Sequence, residues 1–234
     1  MLNGVVAAAA VAVWMYLICA RGAFWLGRER DDAVPGSFQQ WPAVAAVVPA
    51  RNEADCVQES IGSLLRQDYP GAFTVILVDD DSSDGTADIA RAAAPAGDDR
   101  LRVVQGAPLP PGWTGKLWAV KQGIDATENL AVAREYLLLT DADIVHSPDS
   151  VRWLVAHARA GGYVLTSLMA KLRCESLVER IHVPAFIFFF QMLYPFSWVN
   201  RARAATAAAA GGCMLVHADA LRLAGGIVII RDAL

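Results

Sequence analysis

The chain opens with unbroken apolar character. Residues 2–20 hold no charged side chain, and the window 4–27 holds Arg21 alone. A helix needs about 20 apolar residues to cross a bilayer core, so residues 1–27 predict a retained N-terminal transmembrane helix. A cleaved signal peptide fits less well, because it would begin with positive charge and carry a shorter apolar stretch. Arg21, Arg28 and Arg30 flank the segment. By the positive-inside rule they place the rest of the chain on the cytoplasmic side of the inner membrane. Residues 28–42 then turn polar, contain Pro35, Gly36 and Pro42, and read as a linker.

Beyond the linker, apolar runs alternate with helical periodicity. "VAAVVP" (44–49), "FTVILVDD" (73–80), "LRVVQ" (101–105), "EYLLLTD" (135–141) and "GYVLTSLMA" (162–170) predict strands. Helices are predicted over 52–67, 83–94, 115–127 and 147–158. In the first of these Asn52 is the expected cap, and Val57, Ile61, Leu64 and Leu65 fall on one face. Continuous apolar strands joined through helices argue for an α/β fold with a doubly wound, mostly parallel, Rossmann-like sheet. Such sheets bind ligands at the C-terminal ends of their strands. Polar clusters stand at those ends: "PARNEA" after the first strand, "DDDSSDGT" after the second and "TDADIV" after the fourth.

Charge and composition narrow the chemistry. The net charge of −4 gives no reason to expect nucleic-acid binding. Cys19, Cys56, Cys174 and Cys213 are scattered without a CxxC, which fits reduced thiols and neither a disulfide frame nor a zinc site. The four histidines are equally scattered and read as packing or surface residues. Asp141 and Asp143, one residue apart at a strand end, suit a hard cation such as Mg²⁺ or Mn²⁺. Asp79, Asp80, Asp81 and Asp84 form an acidic cluster that can accept hydrogen bonds from a base or ribose; a solvated loop is the alternative, and for Asp84 a cap on the following helix is a sufficient one. Lys116 opens a helix after Gly112 and Gly115, where a cation and free backbone N–H groups can hold a phosphate. The spacing is not that of a P-loop, and no GxGxxG follows the first strand.

A competing pattern is the DxDxV of haloacid-dehalogenase-like phosphatases. It makes Asp141 a nucleophile, with Thr166 and Lys171 as partners, and leaves the two earlier polar clusters unused.

Taken in order and spacing, "VVPARNEA", "VILVDDDSSDGT", "GKLWAVKQG" and "LLLTDADIVHSPD" resemble family 2 glycosyltransferases of the GT-A fold, over about residues 44–226. "FWLGRERDD", "GWTGKLWAV", "SLMAKLRCES", "FFFQMLYPF" and "AAGGCMLV" are similar to the hopene-associated glycosyltransferases of hopanoid biosynthesis. The resemblance implies one glycosyltransferase domain over 43–234, with a nucleotide-sugar half (43–145) and a partial acceptor half (146–234). It implies nucleoside contacts from Pro49, Arg51, Glu53 and Asp80, with Lys116 near the pyrophosphate. Asp141 and Asp143 would hold the nucleotide-sugar and its metal, Asp143 being favoured as the direct ligand. The implied reaction is inverting, metal-dependent sugar transfer from a nucleotide-sugar, a UDP-sugar by default, to a lipid or hopanoid acceptor. The family's catalytic base lies in a later acidic motif. Asp232 is the one acid left and stands too early for it, so the chain reads as a C-terminally truncated member with its base beyond Leu234. A fragment that binds nucleotide without turnover is the alternative.

One apolar stretch stands apart. Residues 181–200 carry no formal charge and hold seven aromatic residues from Phe186 to Trp198. Pro184 and Pro195 bracket ten residues, too few to span, so the expectation is a helix in the membrane interface or under a lipid-acceptor groove. A buried helix packed on the sheet is the alternative.

Overall fold

The computed structural model describes residues 2–30, 36, 38–201 and 203–231. Pro35 of the expected linker and Asp232 lie outside the described residues. The chain forms two compact units, Met1–Asp32 with Lys171–Ala208, and Ala33–Ala170 with Ala209–Leu234. These units cut across the expected halves: 171–208 groups with the N-terminal segment instead of with the sheet.

In the smaller unit, α1 (Leu2–Cys19) is followed by a short 3₁₀ turn at Phe24–Leu26. The larger unit begins with β1 (Val44–Ala50), α2 (Val57–Leu65), β2 (Phe73–Asp79) and α3 (Thr86–Ala92). It continues through β3 (Leu101–Gln105), α4 (Gly115–Ala126), β4 (Tyr136–Thr140), α5 (Ser150–Gly161) and β5 (Leu165–Ser167). The smaller unit then adds α6 (Leu177–Leu193) and α7 (Phe196–Val199). The chain finishes in the larger unit with β6 (Cys213–His217) and α8 (Ala218–Leu223).

The sheet order is β3-β2-β1-β4-β6-β5. β1 pairs in parallel with β2 and with β4, and β2 pairs in parallel with β3. β6 runs antiparallel to both β4 and β5, so it alone opposes the common direction. The fold is therefore the mostly parallel α/β sheet that the apolar runs predict. Period-two alternation divides β1 between two cores. Ala46 and Val48 pack with Ile61 and Leu64 of α2 and Leu154 of α5, while Ala45 and Val47 pack with Val120 of α4. Each fully buried Leu or Ile contributes about 1.5–3 kcal/mol.

Several expected boundaries move, each for a local reason. Asn52 does not cap α2. It adopts a left-handed φ of 56°, its Oδ1 accepts from Ser83 N at 2.9 Å, and the helix starts five residues later. Gly162 ends α5 with a left-handed φ of 63°, which delays β5 to Leu165. Pro184 does not bound a helix: it lies inside α6, which a Ser176–Glu179 capping box starts well upstream. No residue of α6 is buried.

α4 approaches the sheet most closely at Gly123. A Cβ there would collide with Val47 Cγ1 and stand 3.1 Å from Val78 Cγ2. Gly123→Ala is expected to destabilise by about 1–3 kcal/mol through overpacking. That outweighs a helix-propensity gain of about 1 kcal/mol. Urea denaturation of the detergent-solubilised chain measures it, and a midpoint at or above that of the parent would contradict this packing.

Candidate functional site

The parallel register brings three strand ends to one edge. Ala50 lies opposite Asp79, and Asp80 N donates to Ala50 O at 2.8 Å, so the loops after β1 and β2 leave side by side. Side chains lace these loops together. Asn52 N donates to Ser82 Oγ at 3.0 Å, Glu53 N to Thr86 Oγ1 at 2.9 Å and Ala54 N to Asp84 Oδ2 at 3.0 Å. Asp84 also accepts from Thr86 N at 3.1 Å, and the Thr86 hydroxyl bond holds its carboxyl below the usual range. Asp84 does not cap α3, whose N-cap is Gly85 without a side-chain bond; it is a clasp between the two loops. Asp79 is buried and accepts from Ser82 N, so of the acidic run after β2 it is Asp80 that meets the edge groups.

Arg51 Nη1 lies 3.5 Å from Asp80 Oδ2, with the Arg51 side chain 61% exposed and that of Asp80 15% exposed. Gly115, the first residue of α4, abuts the same carboxylate: a Cβ there would stand 2.8 Å from Asp80 Oδ2. A larger residue there would push the carboxylate aside. The next residue, Lys116, places Nζ 2.7 Å from Asp141 Oδ1 at the end of β4. The first turn of α4 therefore bridges Asp80 and Asp141. Pro49 is half-buried in β1 opposite Val78.

Asp143 is exposed and, among the described residues, forms no ion pair. Its charge reaches Cys56, whose Sγ donates to Glu53 Oε2 at 3.2 Å. Burial, this hydrogen bond and the negative charge of Glu53, Asp143 and Asp55 push the Cys56 thiol up to about 12. The thiol is inert at neutral pH, and the side of the site facing Glu53 and Asp143 is acidic. Among the described residues no group of three or more His, Cys, Asp or Glu could hold a metal. Asp141 and Asp143 offer hard oxygen donors only. That set fits Mg²⁺ or Mn²⁺ bound through one or two carboxylates plus phosphate and water, and it does not make a metal cage by itself.

The turn carrying the two carboxylates is clamped at both ends. Asp141 N donates to Gly212 O at 3.2 Å and Thr140 Oγ1 to the same carbonyl at 2.9 Å. His146 Nε2 lies 3.0 Å from Thr140 Oγ1, and His146 N donates to Ser63 Oγ of α2 at 2.9 Å. Since the Thr140 hydroxyl gives its proton to Gly212, His146 Nε2 carries the proton it donates to Thr140. Burial pushes this imidazole down to about 4. Thr140, His146 and Gly212 were given no site role by sequence reasoning, and Gly115 only as part of the Lys116 helix start. All four lie inside quoted motifs, but their roles depend on contacts across the sheet.

Other arrangements do not form. Thr166 sits in β5, which β6 separates from β4, and Lys171 groups with the smaller unit. A cavity of about 490 Å³ lies around the far end of α4 and the start of β4, lined by Lys121, Asp125, Glu128, Arg134, Leu137 and Ile227. Its charges are paired, Lys121 with Asp125 and Arg134 with Glu128, and it contains none of the strand-end carboxylates.

A profile described as glycosyl transferase family 2 matches residues 45–222. A protein named N-acetylglucosaminyltransferase from Azorhizobium caulinodans is 32% identical over 154 residues, 64% of this chain and 36% of that protein. One of the same name from Mesorhizobium japonicum is 29% identical over 150 residues, 63% of this chain and 33% of that protein. The chain spans about a third of the length of these curated relatives. Among solved structures, a mannosyltransferase of Pyrobaculum calidifontis in complex with GDP-Man and Mn²⁺ superposes with a TM-score of 0.63 at 21% identity, covering 96% of this chain and 57% of that one. Glucosyl-3-phosphoglycerate synthase of Mycobacterium tuberculosis with UDP gives 0.50 at 21% identity, covering 80% and 65%. At such identity the likeness establishes the shared fold.

The clamp titrates. The His146 ring is neutral when folded and ordinary when unfolded, so its contribution is complete above pH ~6.5 and is lost as pH falls toward its folded value. The full loss is about 3 kcal/mol. Urea midpoints of the parent and His146→Asn between pH 7.5 and 4 should therefore converge. Parallel curves would show that the ring does not report on folding.

Proposed function

The chain belongs to glycosyl transferase family 2, and from that premise we propose that it binds a nucleotide-sugar at the ends of β1, β2 and β4 and transfers the sugar to a membrane lipid. The observation that carries this reading is the first turn of α4, which sets Lys116 against Asp141 while Gly115 seats Asp80 beside Arg51. A diphosphate has a cation to meet there, and a base and ribose have hydrogen-bonding groups alongside.

In this reading Pro49, Arg51, Glu53 and Asp80 receive the nucleoside, and Lys116 receives the diphosphate. Asp143, with Asp141, would hold Mg²⁺ or Mn²⁺, which neutralises charge on the leaving diphosphate. The acceptor hydroxyl attacks the anomeric carbon from the face opposite the diphosphate. The carbon–oxygen bond to the diphosphate breaks and the configuration inverts. A general base removes the hydroxyl proton; none of the described site residues is assigned that role.

The relatives named N-acetylglucosaminyltransferase make UDP-GlcNAc the first donor to test, and the GDP-Man complex makes GDP the comparison nucleotide. A hopanoid-related lipid is the proposed acceptor, reached at the cytoplasmic face with α1 as the anchor. α1 is 18 residues long, with a mean hydropathy of 2.0 and no buried residue.

Calorimetric titration of UDP and GDP into the detergent-solubilised chain, with and without Mn²⁺, tests the donor site. Binding should require the metal and weaken at least roughly tenfold in Asp143→Ala, a change of about 1.4 kcal/mol. Lys116→Ala should weaken it by roughly 10–100-fold, as expected for one charge-assisted hydrogen bond. Failure of both nucleotides to bind would remove the proposal. Metal-dependent binding without release of UDP from UDP-GlcNAc would leave a nucleotide-binding fragment.

A further inference from the structure

The smaller unit exposes two apolar helices that are not equivalent. α1 is uncharged from end to end. α6 starts amid charge: Arg173 pairs with Glu175, and Glu179 closes the capping box with Ser176. Its apolar part follows, with Phe186 51% and Phe189 54% exposed. By length and composition alone Leu177–Val199 passes as a membrane span, at a mean hydropathy of 1.2.

The path of the chain argues otherwise. Before the excursion that carries α6, Leu168 N donates to Cys213 O at 3.1 Å; after it, Ala210 N donates to Ser167 Oγ at 3.1 Å. The chain leaves and rejoins the sheet at one point, so the excursion begins and ends on one side of any bilayer. If α6 crossed, residues 200–208 would have to cross back. They contain Arg201 and Arg203 and, among those described, no helix. Charged, non-helical backbone has no partners for its polar groups in hydrocarbon.

Depth is set by Arg21. It follows α1, donates from Nε to Met192 O at 3.0 Å and from Nη2 to Leu193 O at 2.9 Å, and lies 4.9 Å over the Trp198 ring. Phe24 packs edge-on to Phe188 at 5.1 Å. If α1 spans, Arg21 marks the headgroup level, and the C-terminal end of α6 is tied to that level. The capped, charged N-terminal end must also face water. Since both ends of the excursion stay on one side of the bilayer, the apolar middle of α6 can reach lipid only by lying along the membrane plane.

Charge names the surface. Residues 1–32 and 171–208 hold eight Lys or Arg and five Asp or Glu, a net +3 in a chain of net −4, so the remainder carries −7. Arg28 and Arg201 line a cavity of about 370 Å³ with Glu29, Gly22 and Ser197; its two guanidiniums outnumber its one carboxylate, and among the described residues neither arginine forms an ion pair. Such a basic belt is complementary to acidic headgroups.

We infer that α6 and α7 form an in-plane element that docks on an anionic phospholipid surface and do not form a second span. This rests on α1 being the membrane anchor. Two measurements on the full chain test it. In sealed inverted membrane vesicles, with the other cysteines replaced by alanine, Cys174 and Arg203→Cys should react with an impermeant maleimide from the same side. In vesicles of phosphatidylcholine with a minority of phosphatidylglycerol, a fluorophore on Phe189→Cys should be quenched roughly twofold more by shallow than by deep spin-labelled lipid, as a helix about 5–10 Å into the interface requires. Labelling from opposite sides would overturn the inference in favour of a span. No quenching by either lipid would overturn it in favour of a helix in water or under a protein partner. Release of the chain by alkaline carbonate would overturn the anchor itself, separately from nucleotide binding.

Discussion

β1 is buried on both faces and hydrogen-bonded along both edges, in parallel with β2 on one side and β4 on the other. A strand so enclosed admits no charged side chain along its length. Polar residues can appear only where the chain leaves the sheet, and parallel pairing makes the three chains leave in the same direction. Arg51, Asp80 and Asp141 share an edge for that reason. α4, returning across the opposite face, presents its first turn at that edge through Gly115 and Lys116.

Residues of one type have divergent duties within this edge. Asp84 is used up by three bonds to Ala54 and Thr86, and these hold the two neighbouring loops in place. Asp79 is buried against its own turn. Asp141 is committed to Lys116 on one oxygen, while Asp143 makes no ion pair among the described residues. The turn that presents the last two is held by Gly212, the buried Thr140 and the neutral ring of the buried His146, so their placement depends on groups behind the edge.

The central strands were legible in sequence because buried parallel strands are continuous apolar runs. The strand-end acids were legible because they interrupt those runs. β6 was not among the predicted strands: its short run CMLVH carries no signal of a strand end or of the antiparallel direction it takes. The start of α2 was misjudged because Asn52 can cap a helix or tie two loops, and the choice depends on Ser83, distant in sequence. Pro184 looked like a helix boundary, yet a strong capping box upstream carries the helix through it. His146 gave no sign of its role, because the clamp needs Gly212 and Ser63 brought from two other elements. The family was legible from four motifs in order, whereas the hopanoid acceptor rests on resemblance.

The ion pair between Lys116 and Asp141 makes the edge a thermodynamic exchange. A phosphate that attracts Nζ weakens its hold on Asp141 and leaves that carboxylate more negative. A cation that attracts Asp141 releases Nζ toward an anion. If the edge takes a metal and a diphosphate as proposed, the two ligands would be linked with positive cooperativity, and by reciprocity each would raise the affinity of the other by the same factor. Such a site would hold free metal weakly and free anion weakly, and fill when both arrive together.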